Sequence, residues 1–448
     1  MNRPLRGTVN LPGSKSESNR ALMIAAYGGF TPDIQNLSEA HDTVLLKTLL
    51  ERLKAPLELF RTPLERPNDF VFDCEDAGTV ARFLLTYLAC ASASRRDALS
   101  VANEQPQSSA SRRDALSVFF DAHPCILTGT DRLCQRPLAP LIDALRQLGA
   151  NITPNTSLPL TIVGHPIAGG SVTLDASQSS QFASSLLLAA PTWEHGLQLT
   201  LKNRPVSMPY LEMTIKMMEL FGAHITRKGD TITVAPQPYH PRPFTVSADW
   251  SAASYWYEML ALNERGGELL LKGLSMPSLQ GDVIVAEWFK PFGIITTFEP
   301  EGARLTKQDS RIIPTKTILS SQPLVFDFTD NPDLFPAVYA TCAALGIDAD
   351  FKGTETLSSK ESDRLIALKT EMAKMPKDAA SPLPVFRTYG DHRIAMSLAA
   401  LWPMKGPIAF DHPEVVNKSY PLFWQELEKF TSDALNFEIN MELSKKIN

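Results

Sequence analysis

Five short stretches of this sequence gather side chains able to hold anions and move protons. Ser14-Lys15-Ser16-Glu17-Ser18-Asn19-Arg20 places a lysine on a turn and an arginine about one helical turn further on. Hydroxyls, an ammonium and a guanidinium at that spacing suit a phosphate or a carboxylate. The pattern G-x-x-x-x-G-K-[ST] of a P-loop is absent. Ser179-Ser180-Gln181 offers hydroxyl and amide donors ahead of an apolar run, which alone reads mostly as a helix cap. In Lys360-Glu361-Ser362-Asp363-Arg364, a helix start would put Lys360 and Arg364 on one face. Asp363 fits a structural salt bridge there, and Glu361 fits an acid–base group tuned by neighbouring cations. Tyr389-Gly390-Asp391-His392-Arg393 puts two cation formers at a helix N-terminus, where the dipole disfavours them unless something negative binds. In Asp330-Asn331-Pro332-Asp333, either acid could cap a helix, and one facing a cationic cleft would make a general base.

The elements that must position these groups form a repeat. Six times a short extended segment runs through a polar turn into an Ala/Leu-rich helix, at 11–26, 72–89, 174–190, 246–262, 326–345 and 386–401. Each turn sits where unpaired backbone N–H groups and the positive end of the dipole favour anions. A second set of helices, within 137–153, 209–226 and 283–298, ends in glycine and re-enters a strand. Segments 42–53 and 361–375 read as the same element with another ending. SASRRDALSV occurs at 92–101 and again at 109–118, a tandem duplication that reads as a tolerated surface insertion. The tail past Lys429 lacks the pattern and reads as peripheral.

Composition bounds the rest. The 448 residues are 44% hydrophobic and 21% charged, which is globular composition sufficient for two or three domains. A net charge of −6 and the lack of a basic stripe with interleaved aromatics argue against a nucleic-acid partner. No apolar run reaches the length of about 20 residues that spans a bilayer, and the first residues do not read as a secretory signal. Five cysteines, an odd number with no C-x-x-C pair, speak against a disulfide framework or a zinc site and fit a reducing cytoplasm.

LPGSKSESNRAL, DAGTVAR, RPLAPLIDALRQLGA, SSQF, SMPY, SKESDR and YGDHRIAMS, in this order, resemble the enolpyruvyl transferase family, on the branch that acts on shikimate 3-phosphate. The resemblance runs from 11 to 424, most of the chain. It implies an α/β fold of six βαβαββ-type units in two pseudo-three-fold domains, with the N-terminal strand placed in the C-terminal half. The expected division is 12–240, carrying the insertion at about 91–122, then 1–11 with 241–430, and a tail at 431–448. The implied reaction joins phosphoenolpyruvate to the 5-hydroxyl of shikimate 3-phosphate in a closing cleft and releases phosphate. It needs no metal or organic cofactor, and it implies a cytoplasmic monomer with two small-molecule partners.

By motif position, Lys15 would touch both substrates and take part in proton transfer. Ser16, Arg20, Ser179, Ser180, Gln181, Ser207, Tyr210, Asp333 and Lys360 would hold shikimate 3-phosphate. Asp76, Gly78, Arg136, Gln181, Arg364, Arg393 and Lys418 would hold phosphoenolpyruvate, with Gly78 allowing close backbone approach. Asp333 would take the 5-hydroxyl proton, Glu361 or Lys15 would protonate the methylene carbon, and His392 would relay protons. Two positions depart from the family pattern: Asp76 and Thr356 stand where it has asparagine. The sibling branch that acts on a UDP-sugar fits less well, because it typically carries a reactive cysteine in a mobile loop. Cys125 and Cys134 flank a strand here and do not form such a loop. A non-catalytic relative that merely binds anions would have no need of paired acid and base.

Overall fold

Each of the six polar turns lies between a strand and a helix. The strands Leu5–Asn10, Val71–Asp73, Gly170–Leu174, Phe244–Thr245, Leu324–Asp327 and Val385–Phe386 lead to the helices Lys15–Gly28, Gly78–Cys90, Ser180–Ala189, Trp250–Leu262, Phe335–Leu345 and His392–Ala399. Three of the turns share one local device. Asp73 and Asp327 end their strands, Asp175 follows its own, and each accepts the backbone N–H two residues on, at 2.8 to 2.9 Å. Such a turn mimics a backbone turn with a side-chain oxygen and reverses the chain in few residues. The computed structural model describes residues 3–54, 71–90, 124–154, 156–164, 167–310, 323–376, 384–406 and 408–431. The duplicated segment and the tail from 432 lie outside the described residues.

The strands pair by one rule. Three four-stranded sheets share a topology in which two parallel strands are followed by a hairpin that adds two antiparallel strands. Leu5–Asn10 lies parallel to Gly267–Lys272, Val71–Asp73 to Cys125–Thr128, and Gly170–Leu174 to Leu197–Leu201. Three further sheets are two-stranded and parallel: Phe244–Thr245 with Ile34–Gln35, Leu324–Asp327 with Ala349–Lys352, and Val385–Phe386 with Ala409–Phe410. Two repeats have exchanged their first strands. Phe244–Thr245 precedes the helix Trp250–Leu262 in sequence but pairs with Ile34–Gln35, while the N-terminal strand supplies the partner of Gly267–Lys272.

The chain accordingly forms two compact units. The first holds the described residues of Met1–Lys15, Asn36–His41 and Val246–Asn448, and the second holds those of Ser16–Gln35 and Asp42–Thr245. Residues 36–41 and 12–15 thus belong with the C-terminal half and 241–245 with the other, a finer division than 12 and 240 as boundaries. Asn36 explains part of it: its Nδ2 donates to the Val246 carbonyl at 2.8 Å. Its own carbonyl lies 2.2 Å from where a β-carbon on Gly13 would stand, so only glycine fits that position.

Helices form the interior of each unit. All thirteen residues of Trp250–Leu262 are buried, as expected of a helix that is apolar around most of its surface. It packs on Phe335–Leu345, which packs in turn on His392–Ala399. In the other unit, Gly78–Cys90 packs on Ser180–Ala189, and that helix on Met208–Leu220. The glycines expected after the second set of helices, Gly149, Gly222 and Gly293, all adopt positive φ of 85° to 100°. The third helix of that set is broken into short turns, Gly281–Ile284, Val285–Trp288 and Lys290–Phe292, with Pro291 at its last turn.

Candidate active site

In the first unit, carboxylates and cations converge from three segments. Asp333, on the short turn Pro332–Leu334, accepts from Arg364 Nη1 at 2.8 Å and from Arg393 Nη2 at 2.8 Å, and Lys360 Nζ lies 3.8 Å away. Burial pushes the Asp333 carboxyl up, but Arg393, Lys360 and Arg364 outweigh it and hold the group well below the usual carboxylate range. Arg364 is the hub. Its guanidinium donates to Asp391 at 2.9 Å, to Asp333 at 2.8 Å and to Glu361 at 2.8 Å. Burial disfavours that charge, yet Asp391, Glu361 and Asp333 together raise its pKa above the ordinary arginine value. A buried cation on this scale is tolerable only because its donors meet carboxylates.

Lys360 and Arg364 do not share a helix face. The helix begins at Arg364, capped by Asp363, whose carboxylate accepts the Ile366 N–H at 3.1 Å. Asp363 is therefore a helix cap, where a structural salt bridge was expected. Lys360 follows a 3-10 turn, Glu355–Ser359, and reaches Asp333 by that route. The cation at the start of His392–Ala399, Arg393, finds its negative charge within the protein, at Asp333. Asp391 caps that helix by accepting Arg393 N–H at 3.0 Å, and it also accepts Ser362 Oγ at 3.0 Å. Tyr389 and Gly390, both in the left-handed region, deliver Asp391 to this place. The sequence reading named the motif but passed over Asp391. Its position just ahead of His392 and Arg393 was the available signal for a cap.

His392 is 1% exposed and, among the described residues, neither ring nitrogen has a hydrogen-bond partner. Burial, then the charges of Lys15 and Arg393, hold its pKa well below the ordinary value, so the imidazole is neutral. Lys15 is set by its backbone: its N–H donates to Asp249 Oδ2 at 3.3 Å, and Asp249 also caps Trp250–Leu262 through Ala252 at 2.9 Å. Gln280 closes the same turn by accepting Trp250 N–H and donating to the Ala248 carbonyl, both at 2.8 Å. Buried Asp282 links it to the Asp333 turn, accepting from Asn331 Nδ2 at 2.9 Å and from Ser251 Oγ. Burial and the Asp333 charge push the Asp282 carboxyl up. Lys418 is buried at the end of Pro413–Lys418, a segment packed on His392–Ala399. Lys15, Asp333, Lys360, Glu361, Arg364, His392, Arg393 and Lys418 thus all fall in this unit. Asp249, a helix-capping residue type in the sequence, and Gln280 and Asp282, which the sequence did not point to, brace it.

In the second unit the remaining expected residues form a donor-rich array. Arg20 is 1% exposed and ties two helices together, donating to Thr214 Oγ1 at 2.7 Å, the Ser16 carbonyl at 2.9 Å and the Tyr210 carbonyl at 3.1 Å. Burial lowers its pKa to about 10, with Tyr210 and Glu17 opposing. Three of its donors therefore serve the fold, a larger structural share than a surface anion ligand would have. Ser179 caps Ser180–Ala189, accepting Gln181 N–H at 3.3 Å, and Ser180 is buried. Ser207 starts Met208–Leu220 in a left-handed conformation, φ 55° and ψ 44°, rare for a residue with a β-carbon. Strain of this kind concentrates at binding sites. Arg136 closes on Gly78 so tightly that a β-carbon there would stand 2.7 Å from its Nη1, with Arg82 Nη1 at 3.0 Å. Asp76 sits half-buried two residues before Gly78.

Neither candidate thiol is activated. Cys125 is buried in its strand and donates to the Ile162 carbonyl at 3.6 Å, and burial pushes its pKa up to about 12. Burial and Asp131 also raise Cys134. All five cysteines are free, and among the described residues no group of three His, Cys, Asp or Glu side chains is placed to hold a metal.

The architecture has a counterpart among solved structures. An EPSP synthase from Acinetobacter baumannii matches with a TM-score of 0.65 at 19% identity, covering 96% of this chain and 97% of that one. The fold is the two-domain α/β fold of the enolpyruvyl transferases. The family model for EPSP synthase (3-phosphoshikimate 1-carboxyvinyltransferase) matches residues 1–427. Proteins of that second name from Bacteroides fragilis and Syntrophobacter fumaroxidans are 36% and 30% identical. They align over 95% of this chain and 95% of the relative, and over 96% and 98%, respectively. The chain belongs to the EPSP synthase family.

Proposed function

We propose that this chain transfers the enolpyruvyl group of phosphoenolpyruvate to the 5-hydroxyl of shikimate 3-phosphate, and that its two groups of residues divide the work. The observation that carries the reading is Asp333, a charged carboxylate held among Arg364, Arg393 and Lys360 with Lys15, Glu361 and His392 in the same unit. Lys15, Arg364, Arg393 and Lys418, with Gly78, Gln181 and Arg136, would hold phosphoenolpyruvate, and Asp76 lies beside that turn. Ser16, Arg20, Ser179, Ser180, Gln181, Ser207 and Tyr210, with Lys360, would hold shikimate 3-phosphate.

In the forward step the 5-hydroxyl oxygen bonds to C2 of phosphoenolpyruvate, its proton passes to Asp333, and C3 takes a proton from Glu361 or Lys15. The tetrahedral adduct then loses a proton from C3 and expels phosphate, which leaves the enol ether. As long as three cations hold Asp333, it is a weak base. The phosphate and carboxylate of the incoming substrate would draw those cations off and restore its basicity as the site fills. Fixed cations also offset charge throughout the reaction without reorganising. Neutral His392 would relay a proton by taking one on one ring nitrogen and releasing one from the other, with no net change in charge. The same reading includes a cytoplasmic monomer, and analytical ultracentrifugation tests the monomer. Among the described residues no helix is long and apolar enough to cross a membrane.

The test is phosphate release from phosphoenolpyruvate with and without shikimate 3-phosphate. Release that depends on both substrates supports the reading, and release from neither mixture overturns it. A UDP-sugar acceptor in place of shikimate 3-phosphate should give none.

A further inference from the structure

Arg82 lies outside every role assigned so far, yet it is 5% exposed and contacts a residue placed in the substrate array. Its Nη1 donates to Gln181 Oε1 at 2.6 Å. The guanidinium sits over the Phe182 ring, 5.4 Å from its centroid, and Nη2 reaches the Pro137 carbonyl at 3.5 Å. On the other side of the amide, Gln181 Nε2 donates to Thr79 Oγ1 at 2.9 Å. Thr79 is the second residue of Gly78–Cys90, beside the glycine on which Arg136 and Arg82 both close.

The chemistry of these groups leaves one arrangement. A guanidinium carries five donors and no acceptor, so only the oxygen of the Gln181 amide can face it. That orientation, ambiguous for most amides, is here imposed by charge. The amide nitrogen must then face Thr79. A hydroxyl that accepts from an N–H keeps its own proton to donate elsewhere, and the amide keeps a second N–H. We propose that Arg82 is a positioning residue that locks this Arg82–Gln181–Thr79 chain in one polarity, so that Gln181 and Thr79 present donors to an anion at the Gly78 turn. Without Arg82 the amide is free to turn its oxygen outward, and an acceptor would then face the anion. The inference rests on the proposal that phosphoenolpyruvate uses Gly78, Arg136 and Gln181.

A double-mutant cycle tests it, read as KM for phosphoenolpyruvate and as kcat. Thr79→Val should raise KM about tenfold, the scale of one charge-assisted hydrogen bond, and so should Arg82→Met. The double variant should be little worse than either single one, because each removes the same polarised donor. KM should move more than kcat, and Arg82→Lys should restore part of the loss. Independent effects, about 100-fold together, would overturn the proposal. So would a fall in kcat and thermal midpoint with KM unchanged, which marks a merely structural arginine. Should Arg82→Met not fold, Gln181→Leu replaces it in the cycle with the same expectation. Arg136→Ala separates the two levels: if it leaves KM for phosphoenolpyruvate unchanged, the anion site at Gly78 is wrong, whatever the cycle gives.

Discussion

The two units present opposite chemistries. In the first, carboxylates and cations interlock: Asp333, Glu361 and Asp391 meet on Arg364, and Asp333 is shared with Arg393 and Lys360. In the second, hydroxyls, an amide and guanidinium groups dominate, as in Arg82 to Gln181 to Thr79 and Arg20 to Thr214. Paired acids among cations can change protonation state when a charged ligand arrives, because each ion partner is also a potential ligand contact. Fixed donors cannot take up a proton, but they define where a phosphate or hydroxyl sits at little cost in reorganisation. On the proposed reading, the first unit would carry proton transfer and share substrate placement with the second.

The sharpest way to break that contrast is Asp333→Asn. Turnover should fall by about 10²- to 10⁴-fold, the usual contribution of a general base. Binding of phosphoenolpyruvate alone, measured by calorimetry, should tighten, because Arg364 and Arg393 lose a competing carboxylate. Weaker binding would mean that the guanidinium groups are not the anion site. Arg393→Ala should raise KM for phosphoenolpyruvate about 100-fold, by loss of a charged contact worth roughly 2–3 kcal/mol, with a smaller change for shikimate 3-phosphate. The reverse pattern would place Arg393 with shikimate 3-phosphate instead. Ser179→Ala probes the donor side: KM for shikimate 3-phosphate should rise several-fold with kcat nearly constant, and loss of the cap should cost about 1 kcal/mol in denaturant titration.

Acid should act on the first unit through His392. Its folded pKa lies below the unfolded value, so the unfolded chain takes up the proton first. The neutral form's contribution is complete above about pH 6.5 and is lost on acidification, by about 1.4 kcal/mol per pH unit below that point. The depressed carboxyl of Asp333 contributes in the same direction but only below its unfolded value of 3.8. Urea melts between pH 7 and pH 5 should show the first slope in the wild type and lose it in His392→Gln. The smallest effect is expected from thiol alkylation, which should leave activity unchanged because burial raises the pKa of Cys125 and Cys134. Inactivation by alkylation would point to the UDP-sugar branch.

Local features of the chain set the order and type of most elements. The polar turns at 11–14 and 386–391 and the glycines at 149, 222 and 293 depend on neighbouring residues alone, so backbone preference and helix capping made them readable. The identity of the catalytic candidates was legible for the same reason, since motif spacing survives without coordinates. Tertiary structure decided which charge meets which. Nothing local to Lys360-Glu361-Ser362-Asp363-Arg364 says that Asp363 caps the helix while Arg364 reaches 27 residues on to Asp391. Nor does Phe244–Thr245 announce that it will pair with Ile34–Gln35 instead of the strand after its own helix. Ion pairing and parallel strand pairing join segments far apart in the chain, and their energies depend on burial and distance. Those quantities exist only once the chain has folded.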